Sequence, residues 1–283
     1  NMIFHFTIKP NIYGTLAAKF LNIPCINNIS GLGTLFIKEG FATLVAKILY
    51  KISQNHPKHI FFQNNEDHEH FLKLGLVKKE KSSVLPGSGV DTVRFSPREK
   101  EHNDGKFVFL LIARMLKDKG IVEFVKAAEI VKSTCNHCEF QLLGFMDEKD
   151  KNGVTKKEMS DWIKDGAIKY LGVSNSVENH LAEADCFVLP SFYKEGTPRS
   201  LLEAASMGKP LITTDTPGCR NVLIENENGY FCKVKDAEDL AQKMMKMVEL
   251  PHDEIKKMGE RSRRLIIEKY DVKLVIWEYL KRV

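Results

Sequence analysis

The stretch from Cys186 to Gly208 decides the fold, and it reads CFVLPSFYKEGTPRSLLEAASMG. Its first four residues form a short apolar run that ends at Pro190, which is typical of a buried strand. Thr197 is a favourable helix N-cap, Pro198 suits the first helical position, and Gly208 predicts the helix end. The pattern therefore predicts a buried strand, a tight loop and a helix that opens directly after the loop.

A helix that starts in this way offers a binding site for an anion. Its first N–H groups have no partner within the helix, and the helix dipole adds positive charge, so phosphate binds favourably there. Glu195 lies in the loop before the helix, and Glu203 lies on its second turn. Because a carboxylate is a poor phosphate ligand, we expect both to face hydroxyl groups. A phosphate beside a polyol indicates a sugar nucleotide.

The composition bounds the protein class. A chain of 283 residues suits two α/β domains, and 43% hydrophobic with 28% charged residues is typical of a globular protein. The net charge of +5 is compatible with an anionic ligand or an anionic membrane surface, and we expect no nucleic-acid partner. The sequence has neither a run of 18 apolar residues nor a signal-peptide pattern, so we expect a cytoplasmic protein.

The six cysteines are scattered along the chain, which favours a reducing compartment over a disulfide framework. Only the run Cys135-Asn136-His137-Cys138 has the spacing of metal ligands. It has no second pair of ligands, and a structural zinc site uses four. The sequence therefore predicts no metal at this position.

Strand and helix patterns alternate along both halves, which predicts parallel sheets. A Pro-, Gly- and Ser-rich segment from Val84 to Pro97 marks a domain boundary. We predict a partial N-terminal domain over residues 1–90, a linker over 91–105 and a C-terminal domain over 106–265. Residues 266–283 are predicted to form a helix that can pack back on the N-terminal domain. The N-terminal domain is predicted to be incomplete, because the chain opens inside an apolar run.

Two cations follow the first strand of the second half. Residues 106–112 form a continuous apolar run, Arg114 comes directly after it, and Lys119 precedes the next helix. Ligands of open α/β sheets bind at the carboxyl ends of strands, where two cations could neutralise a diphosphate. Composition alone fits a solvated basic loop equally well, which is the role expected for Lys117.

Apolar residues recur with helical spacing from Ile37 to Ile52, so they form an apolar stripe on one face of a predicted helix. Lys38, Lys47 and Lys51 lie around this stripe. Two interpretations stay open: the helix packs on its own sheet, or it rests on anionic lipid as an interfacial helix. The apolar positions of the stripe are Ile37, Phe41, Leu44, Val45, Ile48, Leu49 and Ile52.

Several motifs together resemble the retaining family 4 glycosyltransferases, which have the α/β GT-B fold of two Rossmann-like domains with parallel sheets. Besides the two glutamates, the chain carries ARMLKDKG at 113–120, PGSGVD at 86–91, DTPG at 215–218 and Asn-Gly at 228–229. The first half resembles one branch through FTIKPNIYG at 6–14 and SGLG at 30–33. That branch adds hexose or N-acetylhexosamine to undecaprenyl-diphosphate-linked acceptors in surface polysaccharide or glycan assembly.

The resemblance implies roles on the donor side of a nucleotide sugar, with UDP the expected nucleotide. Glu195 would contact the donor sugar, and Arg114 and Lys119 would stabilise the leaving diphosphate. Glu203 would accept hydrogen bonds from the ribose, and the base would lie near Val173. Gly196, Thr197 and Pro198 would present backbone groups to sugar and phosphate. No Asp-x-Asp pair is present for a catalytic metal, so the resemblance implies a metal-independent reaction without a cofactor.

On the acceptor side the resemblance implies His5, Lys9, Gly31 and Gly33. Many relatives have a histidine where this chain has Phe6, so His5 is one place off the pattern. The expected acceptor is a glycan or an undecaprenyl-diphosphate-linked sugar, with peripheral contact to the inner face of the plasma membrane. Two alternatives have the same architecture: a UDP-hexosamine epimerase and a non-catalytic nucleotide-sugar-binding protein.

Overall fold

The computed structural model describes residues 1–31, 40–101, 105–193 and 196–283. Its strands are Ile3–Phe6 (β1), Cys25–Ile29 (β2), His59–Phe62 (β3), Ser82–Val84 (β4), Phe107–Ile112 (β5), Cys138–Leu143 (β6), Lys169–Tyr170 (β7), Cys186–Leu189 (β8), Leu211–Thr214 (β9) and Gly229–Cys232 (β10). Its α-helices are Thr15–Phe20 (α1), Phe41–Ser53 (α2), Asn65–Lys73 (α3), Ile121–Lys132 (α4), Lys156–Lys164 (α5), Val177–Glu183 (α6), Arg199–Ser206 (α7), Ala237–Val248 (α8), His252–Lys269 (α9) and Val272–Leu280 (α10).

The chain divides into two compact units. Unit 1 comprises Asn1–Gly89, Lys194–Arg199 and Lys269–Val283, and unit 2 comprises Val90–Tyr193 and Ser200–Glu268. Each unit is built on one parallel sheet with helices against it, as the alternation of patterns predicts. Two short segments thus join unit 1 although they lie far along the chain from its main body.

Unit 1 has a four-stranded sheet in the order β1-β2-β3-β4. Every residue of β2 and β3 is buried, because these two strands lie inside the sheet and helices cover it. Helix α10 packs on the same sheet, and its Tyr279 hydroxyl accepts a hydrogen bond from the Asn28 amide at 2.6 Å. Its ring centroid lies 4.7 Å from that of Phe61. The last helix is therefore part of the core of unit 1.

Helix α2 packs in a way that the apolar stripe does not predict. Thr43, Ala46, Tyr50 and Ser53 are buried against unit 1. Most of the predicted stripe that the structure describes is exposed instead, with Phe41 at 83%. The exposed stripe residues are Phe41, Leu44, Val45, Ile48 and Ile52. Small and polar side chains thus form the inner face, and the apolar stripe points away from the core. Ile37 and Lys38 lie outside the described residues.

Unit 2 has a six-stranded sheet in the order β10-β9-β8-β5-β6-β7, with parallel pairing throughout. The predicted strand and helix within residues 186–208 are confirmed as β8 and α7. Helix α7 begins at Arg199, one residue later than the sequence predicts. The turn at residues 226–228 leads directly into strand β10, because Gly229–Cys232 pair with β9.

Candidate functional site

The strand order of unit 2 places a ligand edge between β5 and β8. From β5 the chain builds outward through β6 and β7, then returns to β8 and builds the other way through β9 and β10. This reversal is a topological switch point, and ligands of open α/β sheets bind outside the carboxyl ends of the strands there. The turn after β5 and the segment after β8 therefore form the candidate site of unit 2.

These two segments are packed directly against each other. A short 3₁₀ turn, Lys117–Lys119, follows β5 and ends at Gly120, which has a φ of 78°. A methyl group added to Gly120 would overlap the carbonyl oxygen of Pro190. The carbonyl of Asp118 accepts hydrogen bonds from the backbone N–H groups of Phe192 at 3.0 Å and Tyr193 at 3.1 Å. Only glycine fits position 120, since it supplies both the positive φ and the close approach.

Lys119 and Arg114 are cations at this edge with different environments. The ammonium nitrogen of Lys119 lies 4.8 Å from the ring centroid of Tyr193, close enough for a cation–π interaction. Arg114 follows the end of β5 with an exposed side chain. Lys117, by contrast, is engaged at 2.8 Å with Glu158 on α5. Lys119 thus contacts Tyr193 in the segment after β8, whereas Lys117 is paired with Glu158 on α5.

Glu203 lies on α7, which is buried along nearly its whole length. The glutamate itself is only 9% exposed, and it takes part in polar interactions within the protein. A buried carboxylate is costly unless hydrogen-bond donors surround it. Its charge reaches Arg94, whose pKa is raised mainly by the hydrogen bond with Glu178 and to a lesser extent by Glu203. A carboxylate in this position can accept hydrogen bonds from ligand hydroxyl groups.

Arg263 fixes the end of α7 and was not identified in the sequence. Its guanidinium donates to the carbonyls of Ser206 at 2.7 Å, Phe95 at 2.8 Å and Thr92 at 2.8 Å. It also donates to the Ser206 hydroxyl at 2.9 Å. No local pattern could have revealed this role, because the carbonyls come from segments far apart in the chain. Arg263 therefore helps to position the helix that carries Glu203.

The loop before α7 is anchored within unit 1. The Thr197 hydroxyl donates to the carbonyl of Gln63 at 3.2 Å. A methyl group on Gly87 would come within 2.8 Å of the Thr197 Cβ, and one on Gly196 would overlap the carbonyl oxygen of Ser30. Pro198 directly precedes the helix start. Gly196 and Thr197 are therefore set by close backbone packing. Glu195 lies outside the described residues.

The described residues that were predicted for the acceptor side lie in different environments within unit 1. His5 is buried, with Nδ1 3.0 Å from the Asn27 side-chain oxygen, and its ring leaves no room for a side chain at Gly14. This placement favours a structural role for His5. Lys9 is exposed, and Gly31 has a φ of 141°. Gly33 lies outside the described residues.

Val173 follows β7 at the carboxyl edge of the unit 2 sheet. Its side chain is 67% exposed, and the preceding Gly172 has a φ of 72°. The carbonyl of Gly172 accepts a hydrogen bond from the Gly144 N–H at 2.7 Å, which ties the ends of β6 and β7 together. Val173 thus lies at the same edge of the sheet as Arg114.

Within the described residues, no helix combines the length and apolar character needed to span a bilayer.

Comparison with known families assigns this architecture. Residues 93–265 match the family described as "Glycosyl transferases group 1". The chain is 32% identical over 289 aligned positions to the N,N'-diacetylbacillosaminyl-diphospho-undecaprenol alpha-1,3-N-acetylgalactosaminyltransferase of Campylobacter jejuni, with 96% of this chain and 74% of the relative covered. It is 27% identical over 254 positions to the UDP-Gal:alpha-D-GlcNAc-diphosphoundecaprenol alpha-1,3-galactosyltransferase of Escherichia coli, with 85% of this chain and 64% of the relative covered.

Solved structures are similar over the whole chain. Anabaena Alr3699/HepE in complex with UDP has a TM-score of 0.83 at 17% identity, with 100% of this chain and 79% of that chain covered. Sucrose-phosphate synthase of Thermosynechococcus elongatus has a TM-score of 0.81 at 15% identity, with 99% of this chain and 73% of that chain covered. The predicted GT-B fold and enzyme class are confirmed. The chain belongs to the glycosyl transferases group 1 family and is a glycosyltransferase.

Proposed function

We propose that this glycosyltransferase moves a hexose or N-acetylhexosamine from a UDP-sugar to a lipid-linked sugar, with retention of anomeric configuration. The observation that carries the proposal is the packing of Lys119 against Tyr193 at the switch point between β5 and β8. The names of the relatives support the substrate class. The Campylobacter jejuni enzyme acts on a diphospho-undecaprenol-linked sugar, and the Escherichia coli enzyme also takes UDP-Gal as its donor.

The cations act on the leaving group. As the bond from the anomeric carbon to the diphosphate breaks, negative charge develops on the diphosphate, and Arg114 and Lys119 stabilise that charge. The leaving phosphate oxygen takes the proton of the acceptor hydroxyl while the new glycosidic bond forms on the same face. These charges supply the stabilisation that a metal ion provides in other transferases, so the reaction needs no metal. Glu203 accepts hydrogen bonds from the ribose, and Glu195 contacts the donor sugar.

Unit 1 supplies a surface suited to a lipid-linked acceptor. A cavity of about 420 Å³ lies within it, lined mainly by apolar side chains. Gln63 also lines this cavity, and its carbonyl receives the Thr197 hydroxyl of the loop before α7. The apolar lining suits the lipid chain of such an acceptor, and the polar Gln63 suits its diphosphate sugar. The apolar lining is formed by Phe4, Phe6, Val272, Val275, Ile276, Tyr279 and Leu280.

A thermal-shift screen tests the donor assignment, because a ligand that binds the native state raises the unfolding temperature. UDP and UDP-sugars should stabilise the wild-type protein more than GDP and GDP-sugars do. The Lys119→Ala variant should lose this stabilisation. Lys117→Ala is the matched control, since it removes a lysine two residues away that is engaged with Glu158. Stabilisation by GDP alone, or equal loss in both variants, would contradict the proposal.

A transfer assay separates the alternatives. The wild-type protein should convert a polyprenyl-diphosphate-linked sugar only when the UDP-sugar is present. Conversion of the UDP-sugar into its epimer without an acceptor would instead establish an epimerase. Binding of the UDP-sugar with no change in either substrate would establish a non-catalytic protein.

We also propose that α2 lies on the cytoplasmic face of an anionic membrane. Its stripe of exposed apolar side chains runs along one side of the helix, and Lys47 and Lys51 flank it. Such an arrangement suits insertion of apolar side chains at the headgroup boundary while lysines contact anionic lipids. Contact of this kind would bring the enzyme to its lipid-linked acceptor.

Vesicle sedimentation tests the membrane proposal. The wild-type protein should co-sediment with vesicles that contain phosphatidylglycerol and stay in solution with phosphatidylcholine alone. The double variant Lys47→Glu/Lys51→Glu should lose most of the binding. Lys78→Glu/Lys79→Glu makes the same change in net charge on another exposed part of unit 1 and should keep it. Equal losses would show that only net charge matters, and no loss in either variant would remove the role of α2.

A further inference from the structure

Three potential metal ligands converge at the amino end of β6. The ligand atoms of Cys135, His137 and Cys138 all lie within 4.8 Å of one another. Both thiols are buried, and the imidazole is exposed. Within the ranges that the structure describes, no other group of three or more His, Cys, Asp or Glu side chains is arranged to hold a metal ion.

The spacing of these atoms fits tetrahedral zinc. The Sγ of Cys135 lies 3.5 Å from Nδ1 and 3.7 Å from Nε2 of His137, so the thiol faces the imidazole ring. Zinc binds sulfur at about 2.3 Å and imidazole nitrogen at about 2.0 Å, and the tetrahedral angle then separates the two ligand atoms by roughly 3.5 Å. The Sγ–Nδ1 distance matches this separation, and rotation of the imidazole is still required to aim a nitrogen lone pair at a shared ion.

The backbone of the three residues is held in place. The N–H of Cys135 donates to the carbonyl of Val131, in the last turn of α4, at 2.8 Å. The carbonyl of His137 accepts from the N–H of Phe107 at 2.9 Å, and Cys138 pairs with Phe107 in the sheet. Side-chain rotation of the exposed His137 would bring its nitrogen toward a bound ion. The site is thus largely formed before any ion arrives.

The surroundings permit entry and balance the charge. Cys138 lines a cavity of about 680 Å³, and His137 lines a second cavity of about 370 Å³, so an ion has a path to the ligands. The first cavity is also lined by Lys106, Lys132 and Lys169. Two thiolates cancel the charge of a divalent ion, so the bound ion adds no net positive charge beside these lysines. Entry path and ligand geometry are what a genuine metal site must satisfy.

We propose that Cys135, His137 and Cys138 bind one zinc ion, with water as the fourth ligand. The site lies at the opposite end of the sheet from Arg114 and Lys119, so the ion takes no part in sugar transfer. Strand β6 has six residues and spans roughly 20 Å. The ion would fasten the connection between α4 and β6. Three protein ligands fall one short of the usual four, and the proposed site takes water as the fourth ligand.

Cobalt substitution tests this site independently of sugar transfer. The reduced, chelator-treated protein should bind one equivalent of Co²⁺ and develop the intense visible bands of tetrahedral cobalt with thiolate charge transfer in the near ultraviolet. Zinc should displace the cobalt and abolish the bands. Zinc should also raise the unfolding temperature without changing the further rise caused by UDP. Absence of the cobalt bands, or a six-coordinate spectrum without thiolate charge transfer, would overturn the proposal.

Variants identify the ligands. Cys135→Ser and Cys138→Ser should each remove the thiolate bands of one sulfur and weaken cobalt binding at least 100-fold, and His137→Ala should weaken it at least 10-fold. Asn136→Ala, in the same loop, and Cys25→Ala, a buried thiol of unit 1, should bind cobalt like the wild type. His137 is exposed, so its variant keeps the test valid if a cysteine variant fails to fold. Unchanged cobalt binding in the His137 and both cysteine variants would overturn the assignment.

Discussion

The two units differ in what they expose. Unit 2 presents charged side chains at the carboxyl edge of an open six-stranded sheet, and a cavity of about 680 Å³ in this unit is lined in part by three lysines. Unit 1 exposes large apolar side chains, including Phe20 at 86% and Phe41 at 83%, and holds an apolar cavity. Charged edges suit a nucleotide diphosphate, and exposed apolar surface marks interaction with a membrane, a lipid or a partner. Under the proposed function, the donor and the lipid-linked acceptor would thus be matched by different surface chemistry in the two units.

The largest effect is expected when a cation at the carboxyl edge of the unit 2 sheet is removed. Lys119→Ala should lower kcat/KM for sugar transfer by about 10²- to 10³-fold, since it removes charge stabilisation of the leaving diphosphate. Steady-state kinetics of the full chain measures this, with circular dichroism to check the fold. Lys117→Ala should stay within about twofold of the wild type, because its salt bridge with Glu158 is exposed and contributes little. Similar activity of both variants would remove Lys119 from the mechanism.

The next effect concerns Arg263, which positions helix α7 in unit 2. Arg263→Ala should lower the free energy of unfolding by about 3 kcal/mol, because the carbonyls of Thr92, Phe95 and Ser206 lose a charged donor. Urea denaturation measures the change. Arg264→Ala, one residue along on an exposed position of the same helix, should cost less than about 0.5 kcal/mol. Equal costs would show that the Arg263 hydrogen bonds do not stabilise unit 2.

A smaller effect tests the close packing of the loop in unit 1. Gly87→Ala should destabilise unit 1 by about 2 kcal/mol, since alanine disfavours the φ of 65° and its methyl group would press on Thr197. It should also raise KM for the donor, because Thr197 belongs to the predicted donor loop. Gly75→Ala is the control: its φ is 63°, but nothing lies near the added methyl group. If KM for the donor is identical in the two variants, the packing of Gly87 against Thr197 does not affect donor binding.

The smallest effect is a pH dependence confined to unit 1. Burial, together with the positive charge of Arg282, lowers the pKa of His59 to about 4 from 6.5, although Glu278 opposes this. Between these two values the unfolded chain takes up a proton that the native protein does not. Stability should therefore fall by roughly 1–2 kcal/mol as the pH falls from 6.5 to 4.5, and this contribution should not change above pH 7. Urea denaturation of the wild type and His59→Gln would show it, and an equal pH slope in both would contradict it.

Much of unit 2 could be predicted from local sequence. The continuous apolar run of β5 and the strand, loop and helix of residues 186–208 carry their own signals in spacing, proline and glycine. Strand β10 has no such local signal, because it directly follows the turn at residues 226–228 and forms by pairing with β9. Helix α5 escaped notice although Thr155 and Glu158 form a capping box, a signal that could have revealed it.

Within the candidate site, the sequence places Arg114 and Lys119 after the carboxyl end of β5, since the strand end follows from the apolar run. It could not show which cation is held, because the ring of Tyr193 comes from a segment more than 70 residues later. The same holds for His5. Its neighbour Phe6 points to the other face of β1, and only the sheet shows that His5 is the residue turned inward to Asn27.

The sequence by itself determined the alternation of strands and helices, the glycine-dependent turns and the residues that follow each strand. These features depend on backbone geometry and periodicity over a few neighbouring residues. Only the tertiary structure decided that residues 194–199 and 269–283 join unit 1, which face of α2 is buried, and that the ligand atoms of Cys135, His137 and Cys138 meet. The physical reason is that such outcomes depend on burying surfaces from distant parts of the chain together, and no local pattern encodes that choice.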